Sequence, residues 1–75
     1  MEIAPHITVD SNLHHGTPIM TGTRVPAAIV VGSLAGGMSK EEVMQAYDLT
    51  QIQVEAALSY AAMLISHTEA LPLGV

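Results

Sequence analysis

The chain has 75 residues, 49% of them hydrophobic, with a net charge of −5 and no cysteine. Disulfides and thiolate metal sites are therefore excluded, and two cations are too few for non-specific binding to nucleic acid. A chain of this length buries only about 60% of its unfolded surface, so we expect a homodimer that covers part of the apolar surface.

Residues 1–25 are predicted to form a β-hairpin arm with a shaped connector. Residues 6–9 are rich in β-branched side chains, and residues 19–21 can form a second short strand that pairs with the first. Residues 10–12 are typical of a turn. Because an isolated two-stranded hairpin is marginal in water, we expect the arm to pack on the helices or on a second chain.

The connector at residues 16–26 combines two prolines, two glycines and the only arginine, a pattern that restricts the backbone. The Arg24 guanidinium has two interpretations. It can bind a phosphate or a carboxylate, or it can form an internal ion pair with Asp10 or with an acid of the middle helix. The residues expected to shape the connector are Gly16, Pro18, Gly22, Thr23, Arg24 and Pro26.

Residues 26–67 are predicted to form a helical body. Pro26 suits the first turn of a helix that runs to about residue 35 and stops before two glycines. Ser39 and Glu42 form a capping-box pattern at the start of a second helix, which extends to about residue 47.

Thr50 is predicted to cap the last helix, at about residues 51–67, with Gln53 as its capping-box partner. This helix is apolar on two neighbouring faces, which indicates a central position or a contact with a partner. The first face contains Val54, Ala57, Leu58, Ala61, Leu64 and Ile65. The second, which we predict to be a partner or dimer interface, contains Ile52, Ala56, Tyr60 and Met63. Residues 68–75 are predicted to be a flexible tail.

The second and third helices, joined by a tight turn, are similar to a helix-turn-helix. In that interpretation Gln51 and Gln53 face bases, while Arg24 and Lys40 contact phosphates. The alternative is a helical hairpin that only packs the core.

No set of side chains in the sequence predicts catalysis or a metal centre. Four histidines are present, but His14 and His15 are adjacent, and neither His6 nor His67 is at a helical spacing from them. Structural zinc needs four well-placed ligands, and no spacing singles out a nucleophile with its base. We therefore expect a protein that is not an enzyme and has no cofactor. Since neither a signal peptide nor a membrane span is visible, we expect it in the cytoplasm, without membrane contact.

Several blocks of the sequence, over residues 6–62, resemble one small prokaryotic family. They are Ile7-Thr8-Val9-Asp10, His15-Gly16, Pro18-Ile19, Gly22-Thr23-Arg24-Val25-Pro26, Gly37-Met38-Ser39, Tyr47, Leu49-Thr50 and the apolar positions from Val54 to Ala61. This is domain-of-unknown-function family number 433. The resemblance implies a mostly α fold, with a short β-hairpin arm and a homeodomain-like helix-turn-helix bundle of three to four helices.

The resemblance also implies a dimeric antitoxin of a type II toxin–antitoxin pair, which binds a PIN-like nuclease toxin and operator DNA. Members of this family often carry basic residues at the positions of Thr17 and Thr21, and a proline where this chain has Ser11. The loss of two cations from the arm weakens the DNA-binding expectation more than the toxin-binding one. The alternatives are a stand-alone DNA-binding autoregulator and a self-assembling dimer module without nucleic-acid binding.

Overall fold

The computed structural model describes residues 1–12 and 16–67. In this part the chain is mostly helical, with a small antiparallel sheet at the N-terminus. The three strands come first in the chain and the three helices follow. The strands are β1 (Glu2–Ala4), β2 (Ile7–Thr8) and β3 (Ile19–Met20), and the helices are α1 (Ala27–Ala35), α2 (Lys40–Tyr47) and α3 (Gln51–His67).

The sheet has the order β1-β2-β3, and both pairings are antiparallel. The predicted pairing of the second and third of these strands is confirmed, because Ile7 lies opposite Met20 and Thr8 opposite Ile19. The two hydroxyl groups of Thr8 and Thr21 add a side-chain hydrogen bond of 2.7 Å across this pair. The arm is thus tied together by both backbone and side chains.

The prediction of a two-stranded hairpin was wrong in one respect, since β1 adds a third strand. His6, which we placed in the first strand, instead lies in the turn between β1 and β2 at a φ of 64°. Histidine is one of the few non-glycine residues that adopt this left-handed conformation at all often. The turn is held by the His6 N–H, which donates to the Glu2 carboxylate at 3.2 Å.

The connector between β3 and α1 folds back on the sheet through a tight turn at Gly22. Gly22 has a φ of 80°, the value that the third residue of a type II turn requires. The Thr23 backbone N–H and hydroxyl both donate to the Met20 carbonyl, at 3.0 and 2.8 Å. Pro26 then bridges Ile19, so the connector is an extension of the arm.

The three helices begin and end close to the predicted residues because local capping chemistry fixes their ends. In α2, the Ser39 hydroxyl accepts from the Glu42 N–H at 3.1 Å, and the Glu42 carboxylate accepts from the Ser39 N–H at 2.8 Å. Thr50 and Gln53 make the equivalent pair at the start of α3, at 3.2 and 2.8 Å. Only α1 differs, since Pro26 is its N-cap rather than its first residue.

We expect the Ser39→Ala substitution to lower the free energy of unfolding by about 0.5–2 kcal/mol, because it removes the acceptor for an N–H group at the start of α2. Urea denaturation followed by circular dichroism measures this loss. Ser66→Ala is the control: Ser66 is exposed and its hydroxyl donates to a carbonyl within α3, so its removal should be close to neutral. Equal losses for the two variants would contradict the assignment of Ser39 as a cap.

One hydrophobic core joins the arm to all three helices. Its buried residues come from β2 and β3 (Ile7, Met20), from α1 (Ala27, Val30), from α2 and its C-terminal turn (Val43, Leu49) and from α3 (Val54, Ala57). They are all aliphatic or methionine, and no polar side chain is buried in the described part of the chain. The arm therefore contributes to the same core as the helices.

Some predictions concern residues outside the described ranges. These are the predicted roles of His14 and His15 and the predicted flexible tail at residues 68–75. Within residues 1–12 and 16–67, no helix is both long and apolar enough to cross a membrane.

Candidate functional site

Three polar side chains meet where the first turns of α2 and α3 lie side by side: Lys40 of α2, and Gln51 and Glu55 of α3. Glu55 is at their centre, because its Oε2 atom accepts from Gln51 Nε2 at 3.0 Å and lies 3.4 Å from Lys40 Nζ. Both members of the Lys40–Glu55 ion pair are close to half exposed. Two of the four residues predicted to contact DNA, Lys40 and Gln51, are thus engaged with an acid of their own chain.

These contacts hold the pKa of the Glu55 carboxyl below its ordinary value. The hydrogen bond from Gln51 is the largest cause, and the hydrogen bond and the charge of Lys40 follow. Because the folded pKa is the lower one, the ionised carboxylate stabilises the folded state at neutral pH. This contribution is lost as the pH falls below the ordinary glutamate pKa and through the folded one.

We therefore expect both Gln51→Ala and Lys40→Met to raise the pKa of Glu55 toward its ordinary value, because each removes a group that stabilises the carboxylate. A carboxyl-carbon NMR titration of the two variants measures both midpoints. Gln45→Ala, which changes an exposed amide of α2, should leave the midpoint where it is. A midpoint that is unchanged in both variants would contradict the role of these contacts.

The other two residues predicted to bind DNA lie in different surroundings. The Gln53 side chain is half-buried and accepts from the Thr50 N–H at 2.8 Å, so its carbonyl oxygen serves the helix cap. Arg24 is exposed in the turn that precedes α1. The structure thus brings Lys40 and Gln51 together around Glu55, assigns Gln53 a structural contact, and places Arg24 in another element.

The predicted interface residues lie together along a groove between the arm and α3, which we call the arm–α3 groove. Ile52, Ala56, Tyr60 and Met63 all line it, with Glu55 and Ser59 beside them on the helix. The opposite wall is the turn formed by Ala4, Pro5 and His6. The groove has a volume of about 340 Å³, and Ile52 is 63% exposed within it.

A second depression lies between α1, α3 and the segment before β3, and we call it the α1–α3 pocket. Its volume is about 470 Å³, within the range of ligand-binding cavities. No charged residue lines it; the lining residues are Thr17, Pro18, Ala27, Ala28, Val31, Gly32, Tyr60, Ala61 and Leu64. Tyr60 borders both depressions, so α3 presents apolar surface on each side of this ring.

Metal-ligating side chains do not gather anywhere in residues 1–12 and 16–67, where no three histidines, aspartates or glutamates lie close enough to hold an ion.

The connector motif at residues 16–26 has a conformation that its own residues explain. Gly16 and Gly22 have φ values of 83° and 80°, and the Pro18 carbonyl accepts from the Ala27 N–H at 3.0 Å. The motif therefore shapes the link between arm and helices.

Sequence reasoning missed two parts of the arm–α3 groove. Glu55 was not among the predicted site residues, although its i, i+4 spacing from Gln51 was a signal for their hydrogen bond. The wall at residues 4–6 had no comparable signal, since it depends on the third strand and on the docking of the arm against α3.

Comparison with known proteins identifies the family. The model of the family described as "Protein of unknown function (DUF433)" matches residues 7–61. The crystal structure of Rv2018 from Mycobacterium tuberculosis is similar, with a TM-score of 0.63 and 31% identity over 69% of this chain. The match spans only 24% of that protein's chain, and no curated protein matches significantly. Because the family model covers more than half of its residues, the chain belongs to the DUF433 family.

Proposed function

We propose that this chain is a non-enzymatic, antitoxin-like protein that forms a homodimer and binds a PIN-like nuclease toxin. The observation that carries the proposal is the row of apolar side chains that α3 exposes in the arm–α3 groove. The resemblance of residues 6–62 to antitoxin-like proteins supplies the kind of partner. The α2–α3 pair is, in this proposal, a helix-turn-helix that serves protein binding.

Exposed apolar surface on α3 favours a protein partner. Large side chains that line the two depressions remain substantially in water at Ile52, Met63 and Leu64, with exposed fractions of 63%, 39% and 48%. All three lie on α3. Contiguous apolar surface on a small protein typically marks an interaction site. Two separate depressions along the helix allow one surface for a second copy and one for the toxin.

Charge favours a basic partner. The net charge is −5, and of the described residues from 41 to 67 none is a lysine or arginine. A negative surface steers a positively charged cleft toward it and raises the association rate more than the affinity. A nuclease cleft that binds RNA or DNA phosphates has the complementary charge.

Co-purification from the native host, with an affinity tag on this chain, tests the proposal. We expect a nuclease encoded beside this gene to remain bound through gel filtration, and its activity to return when the complex is dissociated. Recovery of the dimer alone, with no nuclease in the neighbouring reading frame, would contradict the proposal.

DNA binding is the second candidate, and the geometry of α2 and α3 favours it. The two helices are separated only by residues 48–50, and Asp48, at a φ of 55°, reverses the chain there. A dimer supplies four lysine and arginine side chains, which can neutralise four phosphates. A plot of the logarithm of the binding constant against the logarithm of the salt concentration should then have a slope of only about −3.6. A gel shift on the protein's own promoter tests this function, and no shift at low salt would exclude it.

A further inference from the structure

The apolar row along the arm–α3 groove is long enough to contact a short helix. Its residues on α3 follow at i, i+4, i+8 and i+11, from Ile52 to Met63, so they form a nearly straight row about 16 Å long. Ala56 is small and lies between larger neighbours, which deepens the middle of the row. The turn at residues 4–6 closes one side.

One acidic side chain, Glu55, lines this groove, and both of its described contacts use the Oε2 atom. A second acid, Glu2, does not line the groove, but its carboxylate accepts from the N–H of His6 in the opposite wall. Among the described side chains that contact these two acids, only Lys40 is a lysine or arginine, and an ion pair that is half exposed is weak.

We propose that the arm–α3 groove binds an amphipathic helix of the toxin, whose apolar side chains cover the row from Ile52 to Met63 and whose arginine or lysine meets Glu55. This inference rests on the proposed function and names the segment of the partner that the site recognises. A helix in a groove presents anchors at i, i+3, i+4 and i+7, and Ala56, Tyr60 and Met63 of α3 follow the same helical spacing. A guanidinium can donate to Oε1 of Glu55, because both described contacts of this carboxylate use Oε2.

A library of random peptides of about 12 residues, long enough for three helical turns, is the probe. Displayed on phage, it is selected separately on the wild-type protein and on the Glu55→Lys variant. We expect the wild type to select peptides with apolar residues at helical spacing and a neighbouring arginine or lysine. The Glu55→Lys variant should select peptides with an acidic residue at that place instead.

The affinity for one selected synthetic peptide then separates the effect of the Glu55 charge from the effect of the protein's net negative charge. Glu55→Gln should weaken binding about tenfold, the value of one charge-assisted contact. Glu41→Gln, which removes the same charge from an exposed position of α2 outside the groove, should change it less than about twofold. Chemical-shift changes should map to residues 4–6 and 52–63.

Three results would overturn the inference. They are a selection that yields no binder, selected peptides without basic residues, and shift changes confined to the α1–α3 pocket. The peptide assay contains no toxin, so its failure is distinct from failure of the proposed function. A toxin that co-purifies while the peptides ignore the groove would retain the antitoxin role and reject this binding mode. If the groove selects basic helices but no nuclease co-purifies, the groove would remain a site for basic helices and the antitoxin role would be rejected.

Discussion

Replacing Ile7 by alanine is expected to lower the free energy of unfolding by about 2–5 kcal/mol. Ile7 has no exposed surface and lies in the core that joins the arm to the helices. A domain of 75 residues has a total stability of only about 4–11 kcal/mol, so this one change removes a large part of it. Urea denaturation followed by helical circular dichroism measures the loss.

The control for Ile7→Ala is Ile3→Ala, the same substitution in the neighbouring strand. Ile3 is 38% exposed, and we expect its substitution to cost less than that of Ile7, because part of its apolar area is already in contact with water. Each variant should be measured at two protein concentrations, since the proposed dimerisation would make the apparent stability depend on concentration. If the two substitutions cost the same, the arm would not share a cooperative core with the helices.

The second large effect is expected on binding. We predict that Ile52→Asp weakens the complex with the co-purified partner by about 30-fold or more, because a charge would replace an apolar anchor within the interface. Ile52 is 63% exposed, so the fold itself should be unaffected. Surface plasmon resonance with the partner immobilised measures the dissociation constant.

Ile65→Asp is the matched control for this prediction. Ile65 lies on the same helix, is 74% exposed and does not line the arm–α3 groove. We expect its substitution to change the affinity less than about threefold. Light scattering of both variants shows whether the proposed homodimer is retained, which separates loss of the partner from loss of the second copy. Equal losses of affinity would place the interface along the whole of α3 rather than in the groove.

The helices were predictable because the chemistry that starts them is local. Ser39 with Glu42, and Thr50 with Gln53, are capping boxes within four residues of sequence, and each forms the hydrogen bonds that the pattern indicates. The apolar row on α3 was predictable for the same reason, because a helical period brings residues together without any help from the rest of the chain.

The arm was only partly predictable. β1 has three residues and depends on pairing with Thr8, while its turn needs His6 in a left-handed conformation that glycine more commonly adopts. The site shows the same limit: the acid at position 55 and the wall at residues 4–6 meet only after the arm packs on α3. The DNA-contact prediction for Gln53 rested on residue type, whereas its hydrogen bond to Thr50 shows a capping role.

The arm–α3 groove has a consequence for the order of folding, because its two walls come from opposite ends of the chain. The α2–α3 hairpin, with contacts between near neighbours, can close within microseconds, whereas residues 4–6 reach α3 only after a loop of more than 40 residues closes. We therefore expect the arm–α3 groove to form after the α2–α3 hairpin. A partner that occupies the groove would stabilise the docked arm, and the unbound chain would open there first.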